Sequence, residues 1–349
     1  MSDKNGEKLS KRFLKAKARK TNWDDTYEEA QEYTTPQRET FDTEFPGQKK
    51  DGAQKIFDPT AGNAVFNFAS NLQAGMTPPM KRFVTLTPGP QLKGDTELKD
   101  GLKNITEVMF SALHNSNFDT QIAESYLDLA VGTGALLAFP GTAESPFRFT
   151  SVPLSQLYLE EGAHGRIDTA FRMFQMAGRV IEDQWDDAKL PKDLADMIKE
   201  DPDKRVKLIE ATVPAEITRF DPATEKNIKV KGFKYSVITH GTKDTIVERE
   251  FTTSPWIIFR WANLPGEIYG RGPVLTALPA IKTLNEQVKI LLQAASISTL
   301  GMYTAADDGI INIENIKLGG GASYPSYLPN ILPQFYPAIA DGSRVPWAD

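Results

Sequence analysis

The sequence contains no cysteine, which excludes disulfides, thiolate nucleophiles and cysteine-ligated metal. Histidine is nearly absent too. His114, His164 and His240 stand far apart in sequence, so zinc sites and Cys/His catalysis lack their usual ligands. There is also no long hydrophobic run. No window approaches the roughly 20 uninterrupted apolar residues that span a bilayer, and the basic N-terminus lacks the apolar stretch of about 7 to 15 residues that a signal peptide requires. These absences predict a protein made and kept in a cytosol, with no membrane partner.

The chemical motifs are missing as well. There is no Gly-x-Ser-x-Gly elbow, no His-Glu-x-x-His and no Walker-type lysine loop. Val131-Gly132-Thr133-Gly134-Ala135 superficially resembles a phosphate loop, but it lacks the Gly-Lys-Ser/Thr ending and opens into a strand, so it reads as a helix-to-strand turn. The adjacent carboxylates Asp24-Asp25, Asp186-Asp187 and Asp307-Asp308 point in different directions wherever they lie on a helix, and they read as solvated surface. Asp307-Asp308-Gly309 lacks the alternating oxygen ligands and terminal Glu of an EF-hand and reads as a turn. The sequence therefore predicts no catalytic residues, no metal and no cofactor.

What is present is an ordinary globular composition. The 349 residues are 40% hydrophobic and 25% charged, enough for one large or two modest cores. Net charge is -6, yet Lys4, Lys8, Lys11, Arg12, Lys15, Lys17, Arg19 and Lys20 face only Asp3 and Glu7 in the first twenty residues. The body is therefore acidic. That balance argues against a tight DNA binder, which clusters Lys and Arg against phosphate, but leaves room for a surface that DNA slides past.

Along the chain, residues 8–33 are charge-rich with sparse apolar positions, and read as a solvated helix or an arm that docks on a neighbour. Residues 34–57 read as extended and turn-rich. Asp58-Pro59 opens a helix with Ala61, Ala64, Val65, Phe68, Ala69 and Leu72 on one face, ending at Gly75. A second helix, about 96–114, carries Leu98, Leu102, Ile105, Met109 and Leu113; a third starts near Asp119. Short strands at 147–152, 157–159 and 169–174 precede a polar helical stretch, 177–199, interrupted by Pro191. Alternating residues from Val206 to Phe259 predict a small antiparallel β module. After Gly266, Gly270 and Gly272, Pro273 opens a long charge-poor helix to about Leu300, which needs burial in the monomer or against another subunit. Residues 301–349 read as loop, with no closing helix or strand.

Three blocks carry a resemblance. The first runs from Trp23 to Arg38 (WDDTYEEAQEYTTPQR) and on through Phe45-Pro46-Gly47 to Ile56–Pro79 (IFDPTAGNAVFNFASNLQAGMTPP). The second is Val131–Ala135. The third joins Pro255-Trp256 and Arg260-Trp261 to GEIYGRGP, Gly266–Pro273, and ALPAIKTLN, Ala277–Asn285. Together they resemble the head-to-tail connecting (portal) protein family of short-tailed, podovirus-type phages.

The resemblance implies an α+β portal-protein fold with helical wing, helical stem and small β-rich clip. It divides the chain into a basic N-terminal arm and extended segment (1–57), wing (58–175), first stem helix (176–205), clip (206–262), second stem helix (263–300) and a tunnel-loop region with the start of a returning wing segment (301–349). It implies a non-enzymatic, dodecameric homo-oligomeric ring at one capsid vertex of the virion, assembled in the host cytoplasm. The implied partners are the major capsid protein, scaffolding protein, terminase packaging motor, tail adaptor proteins and the double-stranded DNA in the channel. Tyr269, Gly270, Arg271, Pro273, Leu284, Val288 and Leu291 fall at the subunit interface and stem on this reading. Asp307, Asp308 and Lys317 become channel-lining candidates, the acidic wall repelling phosphate and Lys317 the exception that touches it. Family members continue into a further wing segment and a helical crown, for which no residues are found here. Other phage capsid or tail-adaptor proteins, and a DNA-packaging enzyme, are the competing expectations.

Overall fold

The structure, a computed structural model of the chain, describes residues 4–38, 55–89, 96–142, 144–221, 226–300, 302–305 and 331–334. Two compact units, Met1–Ile281 and Lys282–Asp349, divide the chain. Described strands pair only antiparallel, which with seven described helices makes an α+β fold.

In the first unit a five-stranded sheet is formed by β3 (Leu157–Glu161), β4 (Ile167–Ala177), β5 (Arg205–Asp221), β6 (Lys226–Thr239) and β7 (Thr245–Phe251), in that order. Period-two alternation along β5 sends Val206 and Leu208 to one face and Ile209 and Ala211 to the other. The first pair packs with Ile181, Trp185 and Leu194 from α5 (Gly178–Gln184) and α6 (Lys192–Glu200). The second pair packs with Leu9, Phe13 and Ala16 from α1 (Lys4–Thr34). The sheet is thus covered on both faces by helices.

A second sheet places β1 (Thr133–Pro140) between β2 (Phe147–Ser151) and β8 (Trp256–Arg260). Leu136 of β1 packs on α2 (Thr60–Met76) and α4 (Phe118–Val131) through Ala69, Ile122, Tyr126 and Leu129, while Ala135 and Leu137 face the opposite core. The two sheets are tied where Trp256 Nε1 donates to Thr212 Oγ1, 2.9 Å, in a buried position. Between α2 and α4, α3 (Thr96–His114) buries Thr106 and Phe110, whereas Ile105, expected on its inner face, is exposed.

The helix from Asp58-Pro59 forms one residue later than expected, with Asp58 Oδ1 accepting from the Thr60 hydroxyl at 2.8 Å. The turn at Gly132 joins α4 to β1 as read from sequence.

Three expectations differ from the structure. Residues 8–33, expected as a solvated helix or an arm that docks on a neighbour, lie in a helix, Lys4–Thr34, packed within this chain, with Phe13, Ala16, Tyr27 and Ala30 fully buried; residues 39–54, expected to be extended, lie outside the described residues. Residues 176–205 do not form one stem helix. Proline at 191 lacks an N–H and disfavours helix in the residue before it, leaving two short helices whose linker is pinned where the Lys189 N–H donates to the Ile246 carbonyl, 2.8 Å. The β module is also larger than 206–262 on one side and smaller on the other. β4 and β5 pair across the expected wing and clip boundary, from Ala170↔Thr212 to Ala177↔Arg205, and β8 belongs to the other sheet.

The long helix α7 (Pro273–Leu300) starts at the expected proline and carries Pro279 within it. Its first turns belong to the first unit and the rest to the second. The second unit also pairs β9 (Met302–Ala305) with β10 (Ile331–Gln334), two strands that loop-like composition concealed. Other residues beyond 301 lie outside the described set.

The packing of α1 predicts that Phe13→Ala destabilises the folded chain by about 3–5 kcal/mol, since the ring sits edge-on to Tyr158 at 5.1 Å and Phe171 at 6.0 Å. Leu14→Ala, at an exposed position, changes stability by about 0.5 kcal/mol or less. Urea denaturation of both variants measures this; equal effects would mean that α1 is not part of the core.

Candidate functional site

The sequence blocks around Tyr27, Gly132 and Tyr269 are separated by more than a hundred residues, yet the fold brings them to one place. Behind α4 the chain turns at Gly132, whose N–H donates to the Asp128 carbonyl at 2.9 Å. Against this turn runs the segment leading into α7. Gly272 N–H donates to the Val131 carbonyl (2.8 Å), Gly270 N–H to Thr133 Oγ1 (2.9 Å) and Trp261 N–H to the Gly132 carbonyl (3.1 Å). The backbones approach so closely that a Cβ on Gly132 would overlap the Gly270 carbonyl oxygen, and one on Gly270 the Gly132 carbonyl oxygen. Glycine is required on both sides by space, not by dihedral angle.

Two tyrosines close the junction from opposite chain directions. From α1, the Tyr27 hydroxyl donates to the Gly270 carbonyl at 2.8 Å. Tyr269, itself buried, accepts at its hydroxyl from the Leu159 N–H of β3, 3.0 Å. Burial pushes both phenols above their ordinary value, so they stay neutral. Trp23 stacks on Tyr27 at 5.5 Å, and the Arg271 guanidinium lies over the Trp23 ring at 5.0 Å. Arg271 also grips Glu267 through two hydrogen bonds, 2.9 and 2.7 Å, which holds the Glu267 carboxyl below the usual range.

Two buried charges fasten α1 and the segment after it to the same region. Lys20 is fully buried; its ammonium donates to the carbonyls of Leu154 (2.6 Å) and Ser155 (3.1 Å) and pairs with Asp24 at 3.2 Å. Desolvation lowers its pKa to about 8, against the opposing pull of Asp24. Asp128 is buried beside Arg38, 2.9 Å away; burial raises its pKa and Arg38 counters the rise.

Of the residues singled out from sequence, Tyr269, Gly270, Arg271 and Pro273 meet at this junction. Leu284, Val288 and Leu291 lie further along α7, on the part belonging to the second unit. Leu284 and Leu291 are 43% and 68% exposed, and Val288 is half-buried. Asp307, Asp308 and Lys317 lie outside the described residues. No group of three or more His, Cys, Asp or Glu among the described residues is placed to hold a metal ion, and no described helix is long and apolar enough to cross a membrane. Sequence reasoning missed Lys20 and the Asp128–Arg38 pair. A signal for Lys20 existed, because it occupies a seven-residue inner repeat of α1 through Leu9, Phe13, Ala16, Trp23, Tyr27 and Ala30.

The close approach predicts that Gly132→Ala and Gly270→Val each destabilise the fold by at least about 2–3 kcal/mol. Gly75→Ala in α2, with nothing near its Cβ, stabilises by about 0.5–1 kcal/mol. Thermal or urea unfolding of the three variants separates these outcomes.

Lys20 makes a pH-dependent contribution of definite sign. Between about pH 8 and its unfolded value of 10.5, the unfolded chain holds a proton that the folded chain has released, so stability rises with pH across that window. In Lys20→Met that rise is absent, as the difference between the two denaturation series from pH 7.5 to 10.5 will show.

The chain is similar in sequence to proteins of two phages. Over 282 residues, 80% of this chain and 50% of the other, it is 22% identical to a probable portal protein of Bordetella phage BPP-1. Over 181 residues, 51% of this chain and 32% of the other, it is 25% identical to a portal protein of Salmonella phage epsilon15. The chain thus spans half or less of the length of these relatives. A model of the bacteriophage head to tail connecting protein family matches residues 6–339, a span holding all three sequence blocks and the whole Gly132–Gly270 junction, so this chain belongs to that family.

Proposed function

We propose that the chain is a portal subunit: one copy in a ring at a single vertex of a phage capsid, surrounding the channel through which double-stranded DNA is packaged and ejected. The observation that carries this reading is the family match from residue 6 to 339, supported by two relatives that are themselves described as portal proteins. Its work is structural and needs no catalytic group. Its partners on this reading are the major capsid protein, scaffolding protein, the terminase packaging motor, tail adaptors and the double-stranded DNA in the channel.

Exposed apolar side chains on α7 support a stem role. Leu284, Ile290, Leu291 and Leu292 are all more than 40% exposed in the isolated chain. Apolar surface of that extent on one helix favours burial against another copy. Tyr269, Gly270, Arg271 and Pro273 set the start of that helix, so their part in a ring is to hold it in place. Asp307, Asp308 and Lys317 remain the channel-lining candidates, on sequence grounds.

Electron cryo-microscopy of the purified protein tests the reading. Class averages with rotational symmetry and a central opening are expected, and monodisperse monomers at all concentrations would overturn it. Leu291→Asp is expected to abolish the rings while leaving the unfolding of the first unit unchanged.

A further inference from the structure

The five-stranded sheet carries opposite charge on its two helical covers. On one side, α1 crosses the sheet from β7, where Asn5 Nδ2 donates to Glu248 Oε1 at 2.8 Å, to β3, where Arg12 pairs with Glu160 at 2.6 Å. Its inner face is buried through Leu9, Phe13 and Ala16. The spacing of Lys4, Lys8, Lys11, Lys15 and Arg19 follows 3.6 residues per turn, so the five form one stripe on the outer face, about 22 Å long. All five are exposed, and none is ion-paired among the described residues. From Lys4 to Arg19 the only acid is Glu7.

On the other side, α5 and α6 turn Ile181, Trp185 and Leu194 into the sheet and leave acids outward. Residues 181–203 contain nine Asp and Glu against three Lys. Asp187, Asp196 and Asp203 are partnered by Arg249, Lys199 and Arg179. Glu182, Asp183, Asp186, Asp193 and Glu200 are exposed and have no ion-pair partner among the described residues.

From this arrangement we infer that the basic stripe of α1 in one copy docks on the acidic α5–α6 face of the next copy. The inference rests on the ring reading above and supplies one of its contacts. A surface whose complement lies on the opposite side of the same layer joins head to tail, and such a contact closes into a ring when the rotation between copies permits. Within one chain the sheet stands between the two faces, so they satisfy each other only between chains. The sequence contains the complement of its own basic stripe, which favours a second copy over nucleic acid as the occupant.

Charge exchange in the full-length chain tests the contact. One variant carries Lys8→Glu, Lys11→Glu and Lys15→Glu; the other carries Glu182→Lys, Asp183→Lys and Asp186→Lys. These positions are all exposed, and unchanged circular dichroism melts are the check on folding. Each variant alone presents like charge at the contact and is expected to lose association by on the order of a hundredfold in apparent Kd, measured by sedimentation velocity at low salt. Mixing the two restores assemblies of wild-type size, because each altered face then meets its new complement. Raising ionic strength weakens the wild-type contact.

Assembly of both variants like wild type overturns this inference and leaves the ring reading standing, whereas a wild-type chain that never associates defeats both. A lysine-to-glutamate variant that assembles normally but no longer binds a short DNA duplex assigns the stripe to nucleic acid and likewise overturns the inference.

Discussion

Two stretches of backbone, 131–134 and 270–272, pass so close that neither accepts a Cβ at Gly132 or Gly270, and much of the first unit is arranged around that approach. It fixes the exit of α4 relative to the entry of α7 through three backbone donors. Tyr27 then ties α1 to the same carbonyl that a side chain on Gly132 would strike, and Tyr269 ties the turn to β3. Buried hydrogen bonds of this kind contribute modestly when made and are expensive to leave unmade. The junction therefore tolerates little change in angle.

Helix α1 shows how a polar sequence can still be core. Its inner seam repeats every seven residues, but the fourth position is Lys20 instead of an apolar residue. The ammonium is kept by two carbonyls and Asp24, and its Nζ lies over the Tyr158 ring, 4.6 Å from the centroid. A buried cation so enclosed favours one register of α1 over its neighbours, because a shift by one turn would leave both the charge and the carbonyls unpaired.

Much of this was legible in the sequence. The helix at 60–76 announced itself by an unbroken 3.6-residue period, and α7 by a proline at its first turn. The strands expected at 147–152, 157–159 and 169–174 form at Phe147–Ser151, Leu157–Glu161 and Ile167–Ala177. The docking of α1 was hidden because its outward face is so charged that its average masks an orderly inner seam. The sheet boundary was hidden for a different reason: β4 and β5 pair across two intervening helices, and strand pairing over such a distance leaves no local mark. The GEIYGRGP string pointed to the junction, but its partner at Gly132 looked like an ordinary turn. Only the meeting of the two explains why both need glycine.

A ring subunit has to repeat one angle many times, and small errors add around the circle. The physical requirement is a stiff block with its contact surfaces on opposite sides. A five-stranded sheet with helices on both faces meets the first condition, since both covers pack on the same two strands, β5 and β6, from opposite sides. On the docking proposed above, the opposite charges of those covers would meet the second. The glycine junction adds the start of α7 to the same block, because Val274 and Leu278 pack into the core that holds Tyr27 and Tyr269.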